Sequence, residues 1–177
     1  IQCLLAVSFA VVFEYLMLKL RHRPVALFLK DGSAIVTALL FALCISPFTP
    51  WWISLSGIAF AIIIAKHVYG GLGYNPFNPA MAGYVFVLLC FPAQMNIWPA
   101  TAGMVTNTVS LSDYLTTIFS LGQIDIDAIS GATALNQMKS KLGLMNMVSE
   151  IQTGPVYGHF AGKGWEWISG GFMLGGI

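Results

Sequence analysis

One short segment combines an alcohol, a glycine and a carboxylate in front of an apolar pattern of helical spacing. The segment is Asp127-Ala128-Ile129-Ser130-Gly131-Ala132-Thr133. Ser130 is placed to cap the following helix, and Thr133 falls in its first turn, where free backbone N–H groups and the positive end of the helix dipole favour a phosphate. Gly131 leaves space for a modifying enzyme. The pattern indicates either that the Thr133 hydroxyl carries a phosphoester or that the segment is an ordinary helix cap on the surface.

The composition of the chain predicts a membrane setting for this segment. Of 177 residues, 57% are hydrophobic and 8% are charged, with a mean hydropathy of +0.78. Soluble domains carry about 25% charged residues. The net charge of +1 gives no basic surface for nucleic acid, so no nucleic-acid partner is expected. Cys3, Cys44 and Cys90 lie far apart in apolar runs, so no metal site is expected either.

Long apolar runs predict an all-α fold, a polytopic bundle of transmembrane helices. Pro47 and Pro50 divide one charge-free stretch, and the glycine- and proline-rich residues 70–79 cannot continue a regular helix. The pattern predicts a membrane domain over 1–98, with helices at about 3–20, 33–46, 51–69 and 80–98. Residues 165–177 should begin a further transmembrane helix. Both ends of the sequence lie inside apolar runs, which is typical of a fragment.

Charged and tryptophan residues predict the orientation of these helices. The loop after the first helix is basic, and the positive-inside rule assigns it to the cytoplasm. Its basic residues are Lys19, Arg21, His22, Arg23 and Lys30. The five tryptophans fall at helix ends that this topology places on the other side of the membrane, where interfacial tryptophans are common. Residues 99–164 are therefore expected to form an extracytoplasmic domain that includes Thr133.

The motif Asp-x-x-Ser-Gly-Ala-Thr resembles the covalent flavin mononucleotide (FMN) attachment sequence of the Rnf and sodium-pumping NADH:quinone reductase families. In those families a dedicated flavin transferase joins the phosphate of FMN to the final threonine. The resemblance implies that Thr133 is the attachment residue. It also implies that Asp127, Ser130, Gly131 and Ala132 belong to the cofactor-binding motif.

A second, longer resemblance lies in the membrane domain. The stretch from Lys66 to Met81 reads Lys-His-x-Tyr-Gly-Gly-Leu-Gly-x-Asn-Pro-Phe-Asn-Pro-Ala-Met and is similar to the RnfD family of the Rnf (Rsx) ion-translocating electron-transport complex. Residues 29–34, 91–95 and 161–167 extend the similarity. The resemblance implies a multi-pass protein of the bacterial inner membrane whose flavin-bearing loop is periplasmic. The implied role is to carry electrons, with no catalytic residue of its own.

The same resemblance implies the partners and cofactors of the chain. Its expected partners are the other Rnf subunits, including those that hold iron–sulfur clusters and a second flavin, together with the flavin transferase and membrane lipid. The implied complex links ferredoxin and NAD to the movement of sodium ions or protons. A second, non-covalent flavin such as riboflavin is a further expectation for the segment 75–80, whose alternative interpretation is a rigid loop that starts a helix.

Two charged residues inside the apolar runs have open interpretations. Lys66 ends an apolar helix, so its side chain is expected to extend to the lipid headgroups, and the alternative is a charge near the flavin pathway. Glu14 is expected to reach the cytoplasmic interface or to pair with a basic neighbour such as Lys19, and the alternative is a role in binding the coupling ion.

Two other functions fit parts of the pattern. The chain could be the B subunit of a sodium-translocating NADH:quinone reductase, because the flavin motif of that subunit is nearly the same. It could instead be a transporter or channel without a flavin, because Asn-Pro pairs and short helices are features of discontinuous transport sites.

Overall fold

The described part of the protein is helical and falls into two compact units. A computed structural model describes residues 1–71, 73–99, 110–120, 134–154, 157–158, 162 and 164–176. One unit is Ile1–Ile97 with Leu111–Gln123, and the other is Trp98–Ser110 with Ile124–Ile177. Among the described residues no strand is present, and one isolated bridge joins Tyr157 to Gly162.

The first unit contains the long apolar helices. Its helices are α1 (Gln2–Leu20), α2 (Val25–Leu29), α3 (Ser33–Cys44), α4 (Trp51–Ala59), the π-helix π1 (Phe60–Val68), α5 (Pro79–Cys90), α6 (Pro92–Met95) and α7 (Leu111–Phe119). The second unit contains α8 (Ala134–Gly143), α9 (Val148–Gln152) and α10 (Trp165–Gly175).

Two helical stretches in the described part of the chain are long and apolar enough to cross a membrane. They are α1, with 19 residues, and the continuous stretch of α4 and π1 from Trp51 to Val68, with 18 residues. At 1.5 Å per residue α1 is about 28 Å long, close to the thickness of a hydrocarbon core. The helices α3 and α5 are apolar but have 12 residues each. Large apolar side chains such as Leu4, Leu43 and Leu89 point away from the core of the unit, as is typical of surfaces that contact lipid.

The buried face of α1 is a single stripe of every fourth residue. The stripe is Gln2, Ala6, Ala10, Glu14 and Leu18. Ala6 and Ala10 are fully buried, and α1 packs against α3 and α4. Small residues let helix backbones approach closely, so the two polar residues of the stripe, Gln2 and Glu14, are held inside the bundle.

Glycine makes the contact between α4 and α5 possible. A Cβ atom added at Gly83 would lie 2.7 Å from the carbonyl oxygen of Gly57 and 2.9 Å from Cβ of Ala61. A Cβ atom added at Gly57 would collide with the ring of Phe41 and lie 2.8 Å from Cγ1 of Val87. The two helices therefore approach each other at a distance that only glycine permits.

The segment before α5 acts as a helix start. The Asn78 side chain accepts a hydrogen bond from the backbone N–H of Ala80 at 2.9 Å, and Pro79 occupies the first helical position. The structure therefore has the helix start that was one of the two interpretations of the segment 75–80. The other end of α5 is at Cys90, and α6 begins at Pro92, so the stretch predicted as 80–98 is divided at Phe91.

Candidate functional site

The predicted flavin-attachment residues lie outside the described residues. These are Asp127, Ser130, Gly131, Ala132 and Thr133. Helix α8 begins at Ala134, the residue that follows Thr133 in the sequence. Two leucines of the apolar pattern that follows Thr133 are exposed in this helix, Leu135 by 77% and Leu142 by 45%.

The first unit contains a buried cluster of ionisable side chains. Nζ of Lys66 donates a hydrogen bond to Oε1 of Glu14 at 2.9 Å, and Nε2 of His67 lies 3.0 Å from Oε2 of the same carboxylate. The side chains of Glu14 and Lys66 are each 3% exposed. Each oxygen of the Glu14 carboxylate therefore has a hydrogen-bond partner, and the two partners are adjacent in the sequence.

The π-helix explains how two adjacent residues reach one carboxylate. Neighbouring residues of an α-helix point about 100° apart around the axis, because one turn takes 3.6 residues. A π-helix is wider and turns less per residue, so neighbours lie closer to a shared face. Because π1 spans Phe60–Val68, Lys66 and His67 both face Glu14 on α1. π-Helical turns are rare and are often found at functional sites.

A chain of hydrogen bonds connects this cluster to the protein surface. Nζ of Lys66 also donates to Oγ of Ser33 at 2.8 Å, and the Ser33 hydroxyl donates to Oδ1 of Asp31 at 2.6 Å. Asp31 is exposed. Partial burial raises the pKa of Asp31, but the hydrogen bonds from the hydroxyl and backbone N–H of Ser33, helped by the charge of Lys66, outweigh it and lower the pKa below its usual value.

The two ring nitrogens of His67 differ in their surroundings. Nδ1 is buried and finds no hydrogen-bond partner among the residues that the structure describes. The backbone carbonyl of His67 accepts a hydrogen bond of 2.9 Å from Nη1 of Arg21, which follows α1. The contacts of Nε2 and of the backbone carbonyl therefore hold His67 in place, while the lone pair of Nδ1 has no partner among the described residues.

A second polar contact joins the opposite end of the same helices. Oγ of Ser54 donates to Oε1 of Gln2 at 2.8 Å, and Nε2 of Gln2 donates to the carbonyl oxygen of Thr49 at 2.5 Å. The pairs Gln2–Ser54 and Glu14–Lys66 have the same separation of 52 residues. The helix α1 and the stretch α4–π1 therefore run parallel, with a polar contact near each end.

Comparison with known proteins identifies the family. A family model described as "NQR2, RnfD, RnfE family" matches residues 1–177. The chain belongs to this family. Together with the apolar helices, membership makes it a membrane protein.

Several curated relatives share one name, which describes the D subunit of an ion-translocating oxidoreductase complex. The chain is 43% identical to the relative of that name from Colwellia psychrerythraea, over 98% of this chain and 52% of the relative. It is 46% identical to the one from Vibrio cholerae and 43% identical to the one from Escherichia fergusonii, over 100% of this chain and 54% and 53% of the relatives, respectively. The chain spans about half the length of these relatives.

The structure corrects the interpretation of Lys66. Its ammonium group does not extend to the headgroups, because it is buried against Glu14 and Ser33. Glu14 does pair with a basic residue, but its partner is Lys66, 52 positions along the chain, and not the nearby Lys19. The fourth-residue spacing of Gln2, Ala6, Ala10 and Glu14 was the signal that could have placed Glu14 on the inner face.

The chemistry available to the cluster is that of its charges and hydrogen bonds. Within the described residues, no group of three or more His, Cys, Asp and Glu side chains could hold a metal ion. The arrangement of one carboxylate, one ammonium group and one imidazole is suited to holding a proton, since imidazole is the side chain that most readily changes charge near neutral pH.

Proposed function

We propose that this chain is part of the electron-carrying membrane subunit of an Rnf-type ion-translocating electron-transport complex, with FMN joined covalently to Thr133. The supporting observation is that a member of the NQR2, RnfD, RnfE family contains the complete segment from Asp127 to Thr133. The names of the relatives, which describe an ion-translocating oxidoreductase complex, support the same assignment.

The chemistry of this attachment needs an alcohol beside a site that favours phosphate. The Thr133 hydroxyl would supply the oxygen of the phosphoester: the hydroxyl loses its proton and its oxygen bonds to the phosphorus, while the pyrophosphate bond of a flavin dinucleotide donor breaks and the nucleoside monophosphate leaves. Helix α8 begins at the next residue. The first N–H groups of a helix lack partners within the helix, and the helix dipole adds a positive potential, so both favour the negative charge of the ester. The attached FMN would supply the redox chemistry, while the protein fixes its position and limits its contact with water.

The proposal includes a setting and a set of partners. The complex lies in a bacterial inner membrane, and the segment that contains Thr133 is on the periplasmic side. Other subunits hold the iron–sulfur clusters and a further flavin, and a flavin transferase loads Thr133. A non-covalent second flavin such as riboflavin would bind at the segment 75–80, in the loop that precedes α5.

Covalent attachment can be tested directly by replacing the hydroxyl. The full-length protein is produced together with its flavin transferase, separated by denaturing electrophoresis and examined for flavin fluorescence in the gel. We expect a fluorescent band for the wild type and none for Thr133→Val, because valine has nearly the same shape as threonine but no oxygen to esterify. Thr153→Val is the matched control, since Thr153 is an exposed threonine of the same unit, and its band should stay.

The other outcomes separate the alternatives. A band that persists in Thr133→Val would contradict attachment at Thr133. A wild-type protein without a band would favour a transporter without flavin. If the band depends on Thr133, an assay of the assembled complex decides its type: activity with ferredoxin supports the Rnf type, and activity with quinone supports the B subunit of a sodium-translocating NADH:quinone reductase.

A further inference from the structure

The buried cluster of Glu14, Lys66 and His67 fixes the position of one imidazole proton. A carboxylate can only accept hydrogen bonds, so Nε2 of His67, at 3.0 Å from Oε2 of Glu14, carries a hydrogen. In the neutral ring Nδ1 is then a lone-pair acceptor. It is buried and has no partner among the described residues, so this atom is where a further proton can bind.

The charges around the ring allow one change of protonation. Glu14 and Lys66 balance each other, so the cluster is neutral when the ring is neutral and has one positive charge when Nδ1 is protonated. Arg21 reaches the His67 carbonyl from the end of α1, and Asp31 is linked through Ser33 before α3. The helix α5, which also packs against π1, has no Asp, Glu, His, Lys or Arg between Pro79 and Cys90.

A network of hydrogen bonds links the cluster to the surface on the Nε2 side of the ring. It runs from exposed Asp31 through the Ser33 hydroxyl and Lys66 to Glu14, which accepts from Nε2 of His67. The network holds Glu14 and Nε2 in place, so Nδ1 is the ring nitrogen that is left to bind a proton. A purely structural contact between α1 and π1 requires neither a link to the surface nor a buried nitrogen with a free lone pair.

We propose that the Glu14–Lys66–His67 cluster is a proton-binding site in which His67 takes up and releases one proton at Nδ1. The proton comes from water and returns to it, and no electron or other reactant is involved. Protonation converts the neutral ring to an imidazolium that remains hydrogen-bonded to Glu14. This site lies in the first unit and does not depend on a flavin at Thr133.

The protonation state can be read by nitrogen NMR. The full-length protein is labelled with 15N-histidine, placed in lipid nanodiscs and followed from about pH 8 to pH 5, the range in which histidines usually change charge. We expect the His67 signals, identified by their loss in His67→Asn, to change from the neutral Nε2–H form to imidazolium. His22→Asn is the matched control, because His22 is an exposed histidine outside the cluster at φ 52°, which Asn tolerates; it should leave this titration unchanged.

Two variants distinguish a proton site from a structural contact. Glu14→Gln removes the negative charge that faces the ring, so the imidazolium signal of His67 should be weaker than that of the wild type at the same pH. Lys66→Gln removes a positive charge, and the imidazolium signal should be stronger. A wild-type ring that keeps one form over the whole range would overturn the proposal, even if both variants failed to fold. An imidazolium signal that is unchanged in Glu14→Gln would overturn it as well, and neither result would affect the flavin band.

Discussion

At the scale of single residues, burial determines what the charged side chains can do. Glu14 and Lys66 face each other with almost no exposure, so each depends on the other for a counter-charge. Removing one partner of a buried pair typically destabilises a protein by about 3–5 kcal/mol, because a charge is left uncompensated in an apolar interior. Replacing both by apolar residues of similar size is often much less harmful, and this difference can be measured.

We predict that Glu14→Leu strongly destabilises the full-length protein and that the double change Glu14→Leu with Lys66→Met recovers part of the loss. The single variant should lose about 3–5 kcal/mol of unfolding free energy, since it leaves the ammonium group of Lys66 without a counter-charge. The measurement is unfolding in mixed micelles, compared with Lys19→Met, which removes an exposed cation. A double variant less stable than Glu14→Leu would contradict this account of the pair.

The sequence could predict only part of these residue contacts. The resemblance to a family points to Thr133, and this assignment stays a prediction. The partner of Glu14 could not be read from neighbouring residues, because the contact joins helices 52 residues apart. The environment of Nδ1 of His67, which has no partner within the described residues, depends on the packing of several helices, and no local pattern encodes it.

At the scale of elements, helix positions follow from local signals, whereas the type of helix does not. Apolar runs separated by Pro47, Pro50 and the segment 70–79 indicate where helices begin and end, and the structure has helices at Gln2–Leu20, Ser33–Cys44 and Trp51–Val68. The change from α- to π-helix at Phe60 has no such signal. The wider π-helix lies where Lys66 and His67 contact α1. We therefore relate the change of helix type to contacts between helices and not to the local sequence.

The close contact between α4 and α5 leads to a prediction at Gly83. In an open helix, Gly→Ala stabilises by up to about 1 kcal/mol because alanine is the better helix former. Here the new methyl group would lie 2.7 Å from the backbone oxygen of Gly57, so the helices must separate. We expect Gly83→Ala to destabilise the protein by about 1–3 kcal/mol, the usual effect of overpacking.

Thermal unfolding of the full-length protein in detergent is the measurement for Gly83. The control is Gly170→Ala in α10, where an added Cβ would have no described atom within 4 Å. That variant should be unchanged or slightly more stable. Equal unfolding temperatures for Gly83→Ala and the wild type would mean that α4 and α5 are not in the tight contact seen here.

At the scale of the first unit, polar contacts define two opposite ends. The Glu14–Lys66 pair lies at one end of the parallel helices, next to the basic loop that contains Lys30. At the other end, Oγ of Ser46 donates to the carbonyl oxygen of Ile97, and the ring of Phe48 stacks on Tyr114 of α7 with centroids 5.1 Å apart. The chain therefore leaves α5 and α6 at the end opposite the basic loop.

This geometry and the positive-inside rule predict the side on which each loop is accessible. Basic loops stay in the cytoplasm, so Lys30 should be cytoplasmic. From that end of the first unit the chain runs to the other end along α3, back along α4–π1 and out again along α5, which should place the following segment in the periplasm. The test uses the full-length protein with Cys3, Cys44 and Cys90 replaced by alanine and one new cysteine at Lys30 or Lys139. Both positions are exposed lysines, so the two variants differ mainly in location. In intact spheroplasts a membrane-impermeant maleimide should label Lys139→Cys at once and Lys30→Cys only after the membrane is opened, and the reverse pattern would require the opposite orientation of the whole bundle.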